Sequence, residues 1–424
     1  MKEEFLHYVW KYGLFPKNEL KTIQGNNIEV INLGTPNANA GPDFINARIK
    51  IDDTLWAGNV EIHVKASQWQ THNHHTDTAY DSVILHVVYE ADKEIVRSTG
   101  ETIPCLQLPI PADLMENYKT LTENSLQIKC ASILSNLDNI TISSWLNRMF
   151  IERLEQKTNH VKRILEATTN NWDETYYRVL ARNFGFSVNA DAMEQLSRSV
   201  PYNLIIRYSL DQSRLEALLL GQSGLLMPND CLDQYTLKLK SEYQYLKHKH
   251  SLNPLDFNLW KQFRTRTTNF PTLRIAQLAT ILHSLPDGFS SLVHDYNSFI
   301  KKLEKITFSP YWEKHYSFGK EKKYTSSTFS FETINLILIN TIIPILFHYG
   351  EVKGLEKLQE DAVSISEDSP PEVNTYTKLW KTYGIIAQNA LQSQALVHLK
   401  KEYCEKGRCI HCKFGHTLLH CTQK

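Results

Sequence analysis

Between Gly41 and Asp92 the chain gathers Asp43, Glu61, His63, Lys65, His72, His74, His75, Asp77, Asp81 and His86, the densest run of carboxylate and imidazole side chains it contains. Two carboxylates in such a run can bridge Mg2+ or Mn2+, which polarises a phosphate and lowers the pKa of a bound water. An imidazole or amine beside them can orient or deprotonate that water. The period-two alternation of WAGNVEIHVK turns Val60, Ile62 and Val64 to one face of a strand and Glu61, His63 and Lys65 to the other. The neighbouring segments INARIKI and VILHVVY are mainly apolar, so the polar face belongs to a buried or half-buried sheet. A carboxylate there needs a cation or hydrogen-bond donors to offset its desolvation. The plainer alternative is an amphipathic strand on an open antiparallel sheet.

A second donor set follows at once. His72, His74, Asp77 and His86 could build the centre of a transition-metal hydrolase. If residues 66–81 are helical, His74 and Asp77 share a face at i and i+3, whereas His72 and His74 do not, which favours a loop or a helix start at His72. A buried, hydrogen-bonded histidine is the plainer reading of His86.

The order of parts is Asp43 before the strand FINARIKI, Glu61-Ile62-His63 with Lys65 on the next strand, a helix or loop, and then VILHVVYE. It resembles the core of the PD-(D/E)XK nuclease superfamily. The resemblance implies a restriction-endonuclease-like mixed sheet, a divalent metal on Asp43 and Glu61, and a lysine that positions or activates the attacking water. That lysine belongs two residues after the acid, where this chain has His63. At about 3.3 Å per strand residue, His63 lies roughly 7 Å and Lys65 roughly 13 Å from Glu61 along the strand. Either His63 takes the lysine's place or the nuclease core is modified or inactive. The strings GPDF, GNVEIH, W-x-x-H-x-H and VILHVVYE also resemble a bacterial domain-of-unknown-function family, which implies the fold unit and supplies no activity.

The tail reads Cys404-x4-Cys409-x2-Cys412-x8-Cys421, with His411, His416 and His420 among the cysteines. Such a segment can satisfy a tetrahedral Zn2+ or hold an iron–sulfur cluster, and spacing does not decide between them. Cys404, Cys409 and Cys412 are the expected ligands, with Cys421, His416 or His420 as the fourth. The chain has 7 cysteines, an odd count, and its start, MKEEFLHYVWKYGLF, is acidic where a secretory signal is basic. Both features favour metal over a disulfide frame. Metal-free thiols in a reduced cytoplasm are the alternative.

These groups must be positioned by a chain of 424 residues with 46 basic and 46 acidic side chains, enough for two or three domains. The charge balance excludes a globally basic nucleic-acid binder, so any such surface is local. Arg264, Arg266 and Arg274, with Lys261, Trp260, Phe263 and Phe270, form a basic, aromatic-interleaved segment of the kind that lies on a phosphate backbone. An inter-helix loop whose arginines pair with local acids accounts for it equally well. The run INLILINTIIPILF is too short and too polar to cross a bilayer and reads as a core helix kinked or restarted near Pro344. From Pro109 onward helical periodicity takes over, with Ser143 or Ser144 as the cap of a long helix.

The expected architecture is α+β. A nuclease-like mixed-sheet domain spans 1–112, a mainly α-helical domain 113–399, and a metal-binding Cys/His tail 400–424. The expected function is divalent-metal-dependent phosphodiester hydrolysis on DNA or RNA in the cytoplasm, with nucleic acid as partner and no membrane. The alternative is a catalytically inactive nucleic-acid-binding or scaffold protein on the same fold.

Overall fold

A computed structural model describes residues 1–228 and 230–421. The first helix, α1 (Glu3–Lys11), buries Phe5, Leu6, Tyr8, Val9 and Trp10, the apolar face that its spacing announces. It is followed by a seven-stranded mixed sheet: β1 (Leu20–Lys21), β2 (Asn27–Asn32), β3 (Thr35–Pro36), β4 (Phe44–Ile51), β5 (Thr54–Lys65), β6 (Val83–Glu90) and β7 (Cys105–Gln107). The order is β1-β2-β4-β5-β6-β7, with β3 paired to β4. The pairs from β1 to β5 are antiparallel, and β5-β6 and β6-β7 are parallel.

Local chemistry explains the turns. Gly25, at φ +95°, closes the β1-β2 hairpin, and Asp52, at φ +49°, turns β4 into β5. The Asp52 carboxylate accepts from the Asn27 N–H and from Asn26 Nδ2, tying the two turns together. Gly58 answers to a close approach: a Cβ there would lie 2.4 Å from Ile84 Cγ2 and 2.6 Å from Ser82 O. The bulge in this strand pair falls on β4 instead, between Phe44 and Ala47, where Asn46 takes φ +58°.

The chain divides into two compact units, one made of Met1–Thr141 with the chain from Lys400 on, the other of Ile142–Leu399. The α+β architecture is therefore present, and the expected division between residues 399 and 400 coincides with a unit boundary, but the one expected at 112 lies at 141 instead, and the tail belongs to the sheet unit. The helix Ala112–Glu123 stays with the sheet unit: Tyr118 stacks on Phe5 at 3.8 Å, and Leu114 and Leu121 of the same helix are buried. The tail returns to the same unit: Asn117 Nδ2 donates to the Cys421 carbonyl at 2.9 Å, and His411 Nε2 meets Glu4 at 2.6 Å.

Among the described residues the second unit is mainly helical, with a small hairpin, His315–Ser317 with Lys320–Glu321, and an isolated bridge between Thr307 and Thr328. Its longest helix, Asn139–Ala167, begins before the serines expected to cap it, because the Asp138 carboxylate accepts both the N–H and the hydroxyl of Thr141. The apolar run forms one helix, Phe331–Lys353, long and apolar enough to cross a membrane by length and composition, yet its most apolar window is 72% buried inside the protein. Pro344 supplies no N–H, so carbonyls one turn earlier lose their helical donor. The helix widens into a π turn over Leu338–Ile342, Lys157 Nζ donates to Ile339 O at 3.1 Å, and Asn183 Nδ2 donates to Asn340 O at 2.6 Å.

Candidate metal centre

Two central strands and one crossover build the site. Glu61 and His63 lie on one face of β5 and are 5% and 1% exposed. His86, fully buried on β6, pairs in register with Glu61 and so projects to the same side. Parallel strands require a crossover, and here it carries the histidine-rich run. Trp69 anchors its short helix, Gln68–Thr71, in the core beneath. His72 ends that helix, Asn73 takes the left-handed conformation at φ +62°, and a 3-10 turn starts at His74. The left-handed residue reverses the local direction, which lets His72 and His74, two apart, turn their rings to one place with centroids 5.5 Å apart.

The donor atoms converge. His63 Nε2 lies 3.1 Å from His72 Nδ1 and 3.6 Å from Glu61 Oε1, and Glu61 Oε1 lies 3.3 Å from His74 Nε2. One ligand atom from each of His63, His72 and His74 falls within 4.8 Å of the others. Ligands about 2.1 Å from a tetrahedral ion stand about 3.4 Å from each other, so these separations fit a single small cation. On its far side His63 Nδ1 meets His86 Nε2 at 2.8 Å. That contact fixes ring orientation and tautomer, as the second ring nitrogen of a metal-bound histidine normally does.

Electrostatics keep the imidazoles in their ligand form. Burial, reinforced by the imidazoles of His86, His72 and His74, pushes His63 down to about 2. Burial, then His74, pushes His86 down to about 3, and burial with His72 lowers His74. Glu61 moves the other way: burial and then the charge of Asp43 raise it to about 9, against the opposing hydrogen bond from the Asp43 N–H. Without a cation, this carboxyl holds its proton through neutral pH. Tyr80 stacks on His74 at 3.7 Å.

Asp43 does meet Glu61. Its N–H donates to Glu61 Oε2 at 3.1 Å, and its Oδ2 accepts the Ile62 N–H at 2.9 Å. The same oxygen lies 3.2 Å from His7 Nε2. Burial pulls His7 down, but the hydrogen bond to Asp43 and its charge outweigh that, so the imidazole ends above its ordinary value. His7 is absent from the sequence-derived candidates because no spacing links α1 to β5. Two candidates fall outside the site. Lys65 stands past the buried part of β5, exposed, and pairs with Glu90 at 3.0 Å. Asp77 caps the next turn by accepting from the Ala79 N–H.

The expected arginine surface is not assembled. Arg274 lies on the helix Pro271–Ser284, which is buried all round from Pro271 to Leu282. It stacks over Phe186 at 4.3 Å and donates to Gln277 and Asn269, and burial lowers it to about 9. Arg264 and Arg266 remain exposed, Arg264 over the Phe263 ring.

In the tail, Cys404, Cys409 and Cys412 do gather, and the thiol beside them is Cys130. Cys421 is exposed, while His416 and His420 turn their rings to the Tyr8 hydroxyl.

No curated protein and no solved structure matches the chain. Residues 3–375 match the family model described as "Protein of unknown function (DUF2851)", and the chain belongs to that family.

Proposed function

We propose that the sheet unit is a metal-dependent hydrolase whose ion is held by His63, His72 and His74. The observation that carries this reading is the convergence of one ligand atom each from His63, His72 and His74 within 4.8 Å of one another, with the Glu61 carboxyl 3.3 to 3.6 Å from two of them. Imidazole donors suit zinc and related transition metals better than Mg2+. His63, His72 and His74 would hold the ion, which would supply Lewis-acid polarisation of a substrate oxygen and of a water. Glu61, 3.3 to 3.6 Å from His74 and His63, is placed to accept a proton from such a water once its own carboxyl is ionised. Asp43 holds Glu61 through its N–H, and His86 holds the ring of His63. His72 is exposed, so the site opens to solvent on its side.

We take a phosphodiester as the substrate class, on the nuclease resemblance and on His7, kept toward its protonated form at the edge of the site. A chelator-stripped sample should cleave bis(p-nitrophenyl) phosphate, and then single- or double-stranded DNA or RNA, only after Zn2+, Mn2+ or Co2+ is restored. The second reading, an Mg2+ or Mn2+ nuclease site on Asp43 and Glu61, draws on the electrostatic coupling of the two carboxyls, in which the charge of Asp43 raises Glu61; the contact between the residues is made by the Asp43 backbone N–H. In that case Asp43→Ala abolishes metal uptake and His72→Ala does not. Binding of nucleic acid without cleavage under any of these ions would leave the inactive binding or scaffold protein.

A further inference from the structure

We infer that Cys130, Cys404, Cys409 and Cys412 form one thiolate site for a thiophilic metal centre, Zn2+ or an iron–sulfur cluster, that clasps the two ends of the sheet unit together. The four thiols, with Lys129, Tyr403 and Gly415, line a cavity of about 10 Å³. That is room for roughly one water-sized sphere, which suits a single ion as the side chains stand, whereas a cluster would need the four cysteine side chains to spread apart. Cys130 and Cys412 are buried, Cys404 and Cys409 half-buried, and all four are free of disulfides.

The backbone is shaped to bring them there. The Cys412 N–H donates to Cys409 O at 3.1 Å, the tight turn of a Cys-x-x-Cys ligand pair. A Cβ on Gly415 would stand 2.0 Å from Cys409 O, so only glycine lets the helix Lys413–Leu419 close on this turn. Cys130 arrives from the other end of the unit, just before the 3-10 turn Ala131–Asn136, against which the tail helix packs. On binding a soft cation each of the four thiols would release its proton to solvent and donate a sulfur lone pair to the metal.

The clasp has a topological use. The helical unit Ile142–Leu399 is inserted between Thr141 and Lys400 in the chain, so the sheet unit must be closed from two segments far apart in sequence. A metal bridging Cys130 to the tail ties those segments directly. Binding free energy at such a site is folding free energy.

The test uses the full-length protein purified without air or chelator. Zinc, iron and acid-labile sulfide are measured together with the absorption spectrum, on wild type, Cys130→Ser, Cys412→Ser and Cys421→Ser. One thiolate-bound zinc, giving a thiolate-to-cobalt charge-transfer band after Co2+ exchange, or iron with matching sulfide and a brown chromophore, is expected in wild type and Cys421→Ser. The same signature should be lost in Cys130→Ser and Cys412→Ser. Should those variants fail to fold, maleimide labelling of native wild type decides: Cys421 reacts at once, and Cys130 and Cys412 only after the metal is removed. Wild type that carries neither signature and takes up no Co2+ with thiolate character, a Cys130→Ser protein that keeps the full signature, or Cys130 labelling as fast as Cys421 would overturn the inference.

Discussion

His63 and His86 meet ring to ring, Nδ1 to Nε2 at 2.8 Å, with both imidazoles buried in the sheet. His86 touches no other candidate ligand atom so closely, and its part is to orient His63. Loss of such a partner typically costs about 10- to 100-fold in metal affinity or activity. His86→Ala should therefore weaken Zn2+ binding by that order, measured by competition with a chromophoric chelator, and His86→Gln should recover part of it. Equal affinity in wild type and His86→Ala would remove His86 from the site.

The pH dependence of the metal-free protein follows from Glu61. Its folded value, about 9, lies above the unfolded one, so its contribution is fully present below the unfolded value and is lost as pH rises through the range up to about 9. His63 and His86, lowered to about 2 and about 3, act oppositely and cost stability as pH falls below the ordinary histidine value. Thermal melts of metal-free protein between pH 6.5 and 9 should show Tm falling with pH in wild type and much less in Glu61→Gln. Parallel slopes would contradict the burial of an uncompensated carboxyl.

Lys65→Ala should leave metal content and cleavage unchanged. Its pair with Glu90 is exposed and screened by solvent, so it holds nothing in the site in place. A loss of activity in this variant would return the lysine to the chemistry and favour the nuclease arrangement.

In the helical unit, Asn183→Ala should lower stability by about 1 kcal/mol, because it removes the donor from the half-buried Asn340 carbonyl, which already lacks its proline donor. Urea unfolding followed by circular dichroism checks this, and an unchanged midpoint would mean that water or another donor replaces the amide.

Part of this site was legible in the sequence, for physical reasons. The period of two along β5 sets Glu61 and His63 on one face whatever surrounds them, and the strand order places Asp43 beside them. The turn at Asn73 was only half legible: the i, i+2 spacing of His72 and His74 excludes a helix, but not which way the chain bends. His7 and Cys130 were not legible, since each reaches its partners across the fold rather than along an element. Arg274 misled because its helix is buried on every side, which periodicity registers as a core element without revealing a polar network inside it. The boundary near Pro109 misled for a related reason: a change from strand to helix texture marks an element, and the packing of Tyr118 on Phe5 decides to which unit it belongs.

In the proposed function the three imidazoles hold an ion that the chemistry requires. His72 is exposed, so replacing it disturbs the fold least. The decisive measurement is the zinc, manganese and cobalt content of reconstituted wild type and His72→Ala, taken beside their rates of phosphodiester hydrolysis. Wild type should hold one ion per chain more than the variant, and hydrolysis should fall with that ion. Equal metal content in two equally folded proteins would contradict it.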